Sequence, residues 1–118
     1  MIPVGPATRI YLAAGATDLR KSFEGLSDLV RHRFNEDPLS GHLFGFANRR
    51  RTRIKLIYWD GSGLWLCTKR LQQGRYCWPK TEENETGALR ILAEELTLLL
   101  SGIDLEKTRT RAWWRRAA

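Results

Sequence analysis

Apolar and polar positions along this chain follow two different periods. Leu19, Phe23, Leu26, Val30 and Phe34 recur at steps of four and three, the spacing that lines up one face of an α-helix. Arg20, Lys21, Glu24, Asp28 and Arg31 fall on the other face. Thr17 stands where a capping hydroxyl is wanted, and Asp18 suits the positive end of a helix. The pattern predicts a long helix over residues 18–34. Gly25 lies inside it, at a cost of ~1 kcal/mol relative to Ala, and suggests close packing on a sheet. Residues 35–41, Asn-Glu-Asp-Pro-Leu-Ser-Gly, read as a loop.

From Leu43 onward strand character dominates. Leu43–Ala47, Arg53–Trp59, Leu64–Leu71 and Arg75–Trp78 are strand candidates, and Pro79 ends the run. Asn48–Thr52 is a polar connection. Asp60-Gly-Ser-Gly63 between two apolar runs is a strong hairpin signal. With Gly61-Ser62 as the loop, Trp59 faces Leu64, Ile57 faces Leu66, Lys55 faces Thr68 and Arg53 faces Arg70. The opposite face pairs Tyr58 with Trp65 and Leu56 with Cys67. Both faces are apolar near the turn, and one becomes basic toward the far end. Two apolar faces need two covers, the second being a C-terminal helix or a partner protein.

The ends are shorter. Arg9–Ala13 is a strand candidate expected at a sheet edge. Ala88–Ile91 reads as a strand or a helix start. Ala93–Leu100 reads as a helix that buries Leu96, Leu99 and Leu100 and stops at Ser101-Gly102. The fold class is therefore α+β: a curved, mostly antiparallel sheet with a long N-terminal helix packed on it and a short C-terminal helix. Residues 1–106 form one such domain. Residues 107–118, with five basic side chains, no acids and no helical or strand period, read as a disordered basic arm.

Charge sharpens this picture. The net charge is +7. Residues 42–80 hold nine Lys and Arg against one acid, Asp60, whereas the flanking segments are close to balanced. A pI near 10.0 makes polyanions the first partner class. The run Arg49, Arg50, Arg51, Arg53 and Lys55 has two readings. It is either a solvated hairpin end that blunts an edge or a phosphate-contact patch; self-repulsion without nearby acids favours the second. With Lys69, Arg70 and Arg75 on the following strands, and Arg111, Arg115 and Arg116 on the arm, these residues form the candidate nucleic-acid surface. Trp113-Trp114 beside those arm arginines stack on unpaired bases, tuck onto the sheet or sit in a membrane interface, the last being least favoured because the arm is short. Trp59, Trp65 and Trp78 read as core.

Other chemistry finds little support. Cys67 and Cys77 lack the second ligand pair that a zinc site needs and read as reduced, packed side chains. His32 and His42 are too few and scattered to complete one. Metal-dependent strand cutting needs converging carboxylates, and the sheet region offers only Asp60, which its turn explains. No phosphate loop or nucleophile–base constellation is present. The expectation is no catalytic residue, metal or cofactor, no small-molecule substrate, and no membrane partner, since no apolar run approaches ~20 residues. With no signal-peptide pattern at the N-terminus, the expected location is the cytoplasm.

Four stretches carry a wider likeness. Thr17-Asp-Leu-Arg-Lys-Ser-Phe-Glu-Gly-Leu26, the run from Leu43 to Leu66, and Lys69-Arg-Leu-Gln-Gln-Gly-Arg-Tyr-Cys-Trp-Pro79, with the closing Leu98-Leu-Leu-Ser-Gly-Ile-Asp104, resemble the small TnpB-type accessory proteins of the IS-sixty-six class of bacterial insertion sequences. The likeness spans about residues 8–105. It implies a protein encoded beside a separate transposase and needed for movement of the element. It brings no catalytic residues, and it tips Ala88–Ile91 toward a strand. The main expectation is a non-enzymatic transposition accessory protein that binds nucleic acid, DNA first, through the basic hairpin region. The alternative is an adaptor that binds or activates the transposase without contacting DNA. A metal-dependent nuclease is the third and weakest reading.

Overall fold

A computed structural model describes residues 4–78 and 88–102 and the backbone of Arg115–Arg116. The elements run β1 (Ile10–Ala13), α1 (Phe23–Arg33), β2 (Leu43–Ala47), β3 (Arg53–Trp59), β4 (Leu64–Arg70), β5 (Ala88–Ile91), α2 (Ala93–Leu100) and β6 (Arg115–Arg116). They build one sheet in the order β4-β3-β2-β1-β5-β6. All of its pairings are antiparallel except β1 with β2. The α+β class with a mostly antiparallel sheet is therefore observed.

The β3–β4 hairpin has the register read from the sequence, from Trp59 opposite Leu64 to Arg53 opposite Arg70. Its turn is organised by Asp60. That carboxylate accepts hydrogen bonds from the backbone N–H groups of Ser62 (2.8 Å) and Gly63 (2.9 Å), the Ser62 hydroxyl (3.0 Å) and the Trp65 indole N–H (2.8 Å). These bonds, the Ser62 N–H first, hold its pKa down at about 2.

Alternation along the strands sorts the core into two layers. Tyr11, Ala13, Phe44, Phe46 and Ile57 face α1 and meet Leu26, Val30 and Phe34. Phe34 stacks on Phe46 with ring centroids 5.6 Å apart. Ile10, Leu12, Leu43, Ile54, Leu56 and Ile91 face the other way and meet Leu96 and Leu99 of α2. Tyr76 and Trp78 complete that second layer. On that side of the sheet Gly45 of β2 leaves room for Leu12 and Leu56 of the flanking strands. A Cβ there would lie 2.7 Å from Leu12 Cδ2, 3.0 Å from Leu56 Cδ2 and 3.8 Å from the Trp78 ring.

Five expectations are corrected. Trp65 is exposed rather than core, its indole bonded to the Asp60 carboxylate of the hairpin turn. β1 is central rather than at an edge, lying between β2 and β5 with all four residues buried. The helix-bearing connection to β2 permits the parallel neighbour, and Ile-Tyr-Leu-Ala is an apolar run that needs cover on both faces. α1 starts at Phe23, not Asp18, and has eleven residues. Residues 18–21 instead form a turn in which Asp18 accepts from the Arg20 N–H at 3.0 Å and Lys21 N–H donates to the Asp18 carbonyl at 3.3 Å. Ser22 takes the N-cap position, and Thr17 is buried with its N–H on the Ala47 carbonyl. Gly25 makes room for the Lys21 stem and not for the sheet: a Cβ added at Gly25 would lie 3.0 Å from Lys21 Cβ. Residues 75–78 form no strand. Tyr76 N–H donates to the Arg51 carbonyl at 2.7 Å and the Trp78 indole donates to the Ala13 carbonyl at 3.0 Å, so the segment folds beneath the sheet.

Ala88–Ile91 is a strand, as the family likeness suggested. Leu96 and Leu99 are buried, whereas Leu100 is half-buried. Of the arm expected to be disordered, Arg115–Arg116 pairs its backbone with Leu89 and Arg90; residues 107–114, with Trp113-Trp114, lie outside the described residues.

Two outcomes follow from these contacts. Gly45→Val forces branched methyls against Leu12 and Leu56, and should lower unfolding free energy in urea by about 1–3 kcal/mol. Asp60 and Asp18, both held at about 2, stabilise the fold above the ordinary carboxylate pKa. That contribution is lost as pH falls from about 4 through about 2. Asp60→Asn should flatten this acid limb of the Tm–pH curve, and an unchanged limb would show that the turn contributes nothing.

Candidate nucleic-acid interface

At the basic end of the hairpin the sheet is flanked by the turn of residues 17–21 rather than by α1 residues. Arg53, Lys55 and Arg70 point to the α1 side of the sheet by alternation, with Arg53 directly opposite Arg70. Like charges directly opposite across a strand pair are destabilising. Among the described residues, Arg50, Arg53 and Arg70 have no ion-pair partner.

Two connections wall this area. The first is the β2–β3 turn. Asn48 Oδ1 accepts from the N–H groups of Thr52 (3.0 Å) and Arg53 (3.1 Å), and its Nδ2 donates to Thr52 Oγ1 at 3.2 Å. Arg51 holds the turn's left-handed position, at φ 60°. The second is the turn of residues 17–21, fixed beside the end of β2 by the Thr17–Ala47 bond at 2.8 Å. Lys55 Nζ ties β3 to this second wall by donating to the Lys21 carbonyl at 3.0 Å.

Between these walls lies an open cavity of about 660 Å³. Arg20, Arg50, Arg53, Lys55 and Arg70 line it, with Thr52, Thr68 and Asn48 among the uncharged groups and Asp18 as its one acid. Asp18 is engaged by Arg20, Nη2 to Oδ2 at 2.8 Å, and that contact keeps the carboxyl at about 2. The lining is thus five cations against one carboxylate that is already paired. Such a concavity concentrates positive potential and suits phosphate oxygens.

The structure divides the residues proposed from sequence. Arg50, Arg53, Lys55 and Arg70 come together in the cavity. Arg49 is exposed on the same turn but does not line it. Arg51 is half-buried and turns away, donating from Nη1 to the Trp78 carbonyl at 3.2 Å. Lys69 points to the α2 side, where Nζ donates to the Leu100 carbonyl at 2.7 Å. That position neutralises the negative end of the helix. Arg75 is exposed in the segment that leads to buried Tyr76 and Trp78. Arg111 lies outside the described residues. Arg115 and Arg116 carry their backbone on β6, four strand spacings or roughly 19 Å from β3. Arg20 was missed as a site residue. The helical period assigned it to a solvated face, and only the earlier Asp18 turn brings it to the cavity.

Cys67 and Cys77 are free and half-buried. No described helix is long and apolar enough to cross a membrane.

Comparison with known proteins places these features in a family. The family model described as IS66 Orf2 like protein matches residues 8–110. The uncharacterized protein y4hO of Sinorhizobium fredii is 42% identical over 104 residues, 88% of each chain. The uncharacterized protein y4jC of the same organism is 36% identical over 110 residues, 92% of each chain. No solved structure matches this chain. The matched span contains β1 through α2, and with them both walls of the basic cavity. The chain belongs to the IS66 Orf2-like, TnpB-type family of transposition-associated accessory proteins.

Proposed function

We propose that this accessory protein acts by binding the phosphate backbone of DNA in the cavity between the β3–β4 hairpin end and the turn of residues 17–21, without catalysing a reaction. The observation that carries the reading is the direct opposition of Arg53 and Arg70, with Arg50 and Lys55 beside them and one acid, already paired, in the lining. Keeping these charges together costs free energy that a bound polyanion recovers. Family membership supports a place in the transposition machinery. Arginine forks and threonine hydroxyls contact phosphate oxygens, and such contacts fix position on a nucleic acid.

The test is binding of a labelled DNA duplex measured over a salt series. Changing Arg50, Arg53 and Arg70 together to Gln should weaken binding equally for unrelated sequences. The log–log salt slope should shrink by about 0.9 for each lost phosphate contact, up to about 2.7. Thermal stability should hold or rise as repulsion is relieved. Unchanged DNA affinity combined with loss of transposase co-purification would instead support the adaptor reading.

Arg51 and Lys69 serve as internal controls. Arg51→Ala removes the bond to the Trp78 carbonyl and leaves a side chain at a positive φ. It should lower stability by about 1 kcal/mol with little change in DNA affinity once folded protein is compared. Lys69→Gln should loosen α2, read as faster amide exchange over residues 96–102, and leave the salt slope as it was.

A further inference from the structure

β4 is an outer strand of the sheet, bonded on one side by β3 and, among the described residues, unpaired on the other. Its seven residues run in unbroken register with β3 and contain no proline or glycine. Two bonds fix the parity of that ladder: Asp60 N–H to the Gly63 carbonyl and Leu71 N–H to the Thr52 carbonyl. Odd-numbered residues therefore turn their backbone groups to β3, while Leu64, Leu66, Thr68 and Arg70 turn theirs outward. Such a row of free donors and acceptors is a template for another strand.

The two ends of this strand differ. Leu64-Trp65-Leu66 is apolar, and Thr68-Lys69-Arg70 is polar and basic. Trp65 is 57% exposed, yet its indole is fixed by the Asp60 carboxylate at 2.8 Å. An exposed aromatic held in one orientation loses little freedom when covered, and tryptophan is enriched among interface anchors.

We infer that β4 pairs antiparallel with the β4 strand of a second copy of this chain, about a dyad at Cys67. The pattern of β4, aromatic at one end and basic at the other, is self-complementary and so fits a second copy, and repulsion between the basic ends selects the antiparallel direction. In this register Trp65 lies opposite Lys69 of the partner subunit, and Leu64 lies opposite Arg70 of the partner subunit. The basic end of each copy meets the aromatic end of the other, where a cation beside an indole face is attracted. Parallel pairing would set the basic ends against each other. The outward groups of Leu66 meet those of Thr68 of the partner subunit as a hydrogen-bonded pair. Cys67 then faces its own copy as a non-hydrogen-bonded pair, with Cα atoms about 4.5 Å apart, within the range of about 4.4–6.8 Å that a disulfide spans. A dyad normal to the sheet keeps like faces together, so both basic cavities lie on one side of a continuous sheet.

Sedimentation velocity on the full, reduced chain at micromolar concentration should give twice the chain mass. Mild oxidation should convert it to a covalent, reducible dimer, which is lost in Cys67→Ser and kept in Cys77→Ser. Thr68→Pro removes an N–H that only the second copy uses, so it should halve the sedimenting mass while far-UV circular dichroism and Tm stay near those of the parent. If that variant unfolds, Trp65→Arg sets cations opposite Lys69 of the partner subunit and should give the same halving. A parent chain that sediments as a monomer would overturn the inference. So would a dimer that persists in Trp65→Arg and yields no Cys67 crosslink.

Discussion

Burial of the central strands on both faces is the constraint from which the rest of this molecule follows. Every residue of β1 and β2 is buried. Each strand therefore needs a layer above and a layer below, and one chain must supply both. α1 supplies one through Leu26, Val30 and Phe34. α2 supplies the other only with the help of Tyr76 and Trp78. On that second side Gly45 makes room for Leu12 and Leu56 of the neighbouring strands, because any side chain there would occupy their space. The pairing of β2 with β3 reaches buried Ile54, and the arginines Arg53 and Arg70 sit opposite one another just beyond it. Charges of one sign cannot enter either layer without partners, so the fold gathers them at its margin.

The margin is nevertheless built, and some of its basic residues are what build it. Arg51 reaches under the sheet to the Trp78 carbonyl and gives its own carbonyl to Tyr76, which ties the turn that carries Arg50 and Arg53 to the second layer. Lys69 closes the C-terminal end of α2. Lys55 both lines the cavity and bonds the opposite wall at Lys21. A basic run that reads as uniform in sequence thus separates into residues that hold the fold and residues that face the open cavity.

Much of this was legible in the chain because it rests on local rules. The β3–β4 register followed from a four-residue turn, and strand alternation then fixed which side chains share a face. The core stripe of α1 followed from its three-and-four spacing. What escaped depended on distant partners. The central place of β1 needs β5, some seventy-five residues later, and four residues carry too little pattern to show it. The start of α1 was misjudged because Asp18 prefers to hold Arg20, an alternative to helix that short acidic side chains offer the backbone; the same misjudgement hid Arg20 from the site. Tyr76 and Trp78 have strand-like composition, but their polar atoms are satisfied by Lys69, Ala13 and Arg51 rather than by a ladder.

DNA phosphates are proposed to bind in the cavity between the hairpin end and the turn of residues 17–21. An amide-resolved NMR titration of the full chain with a short duplex addresses this most directly. Binding there should shift residues 18–21, 48–55 and 68–70, saturating together and reversed by added salt. Shifts confined to Trp65 and α2, or none at duplex concentrations well above those of the protein, would contradict it.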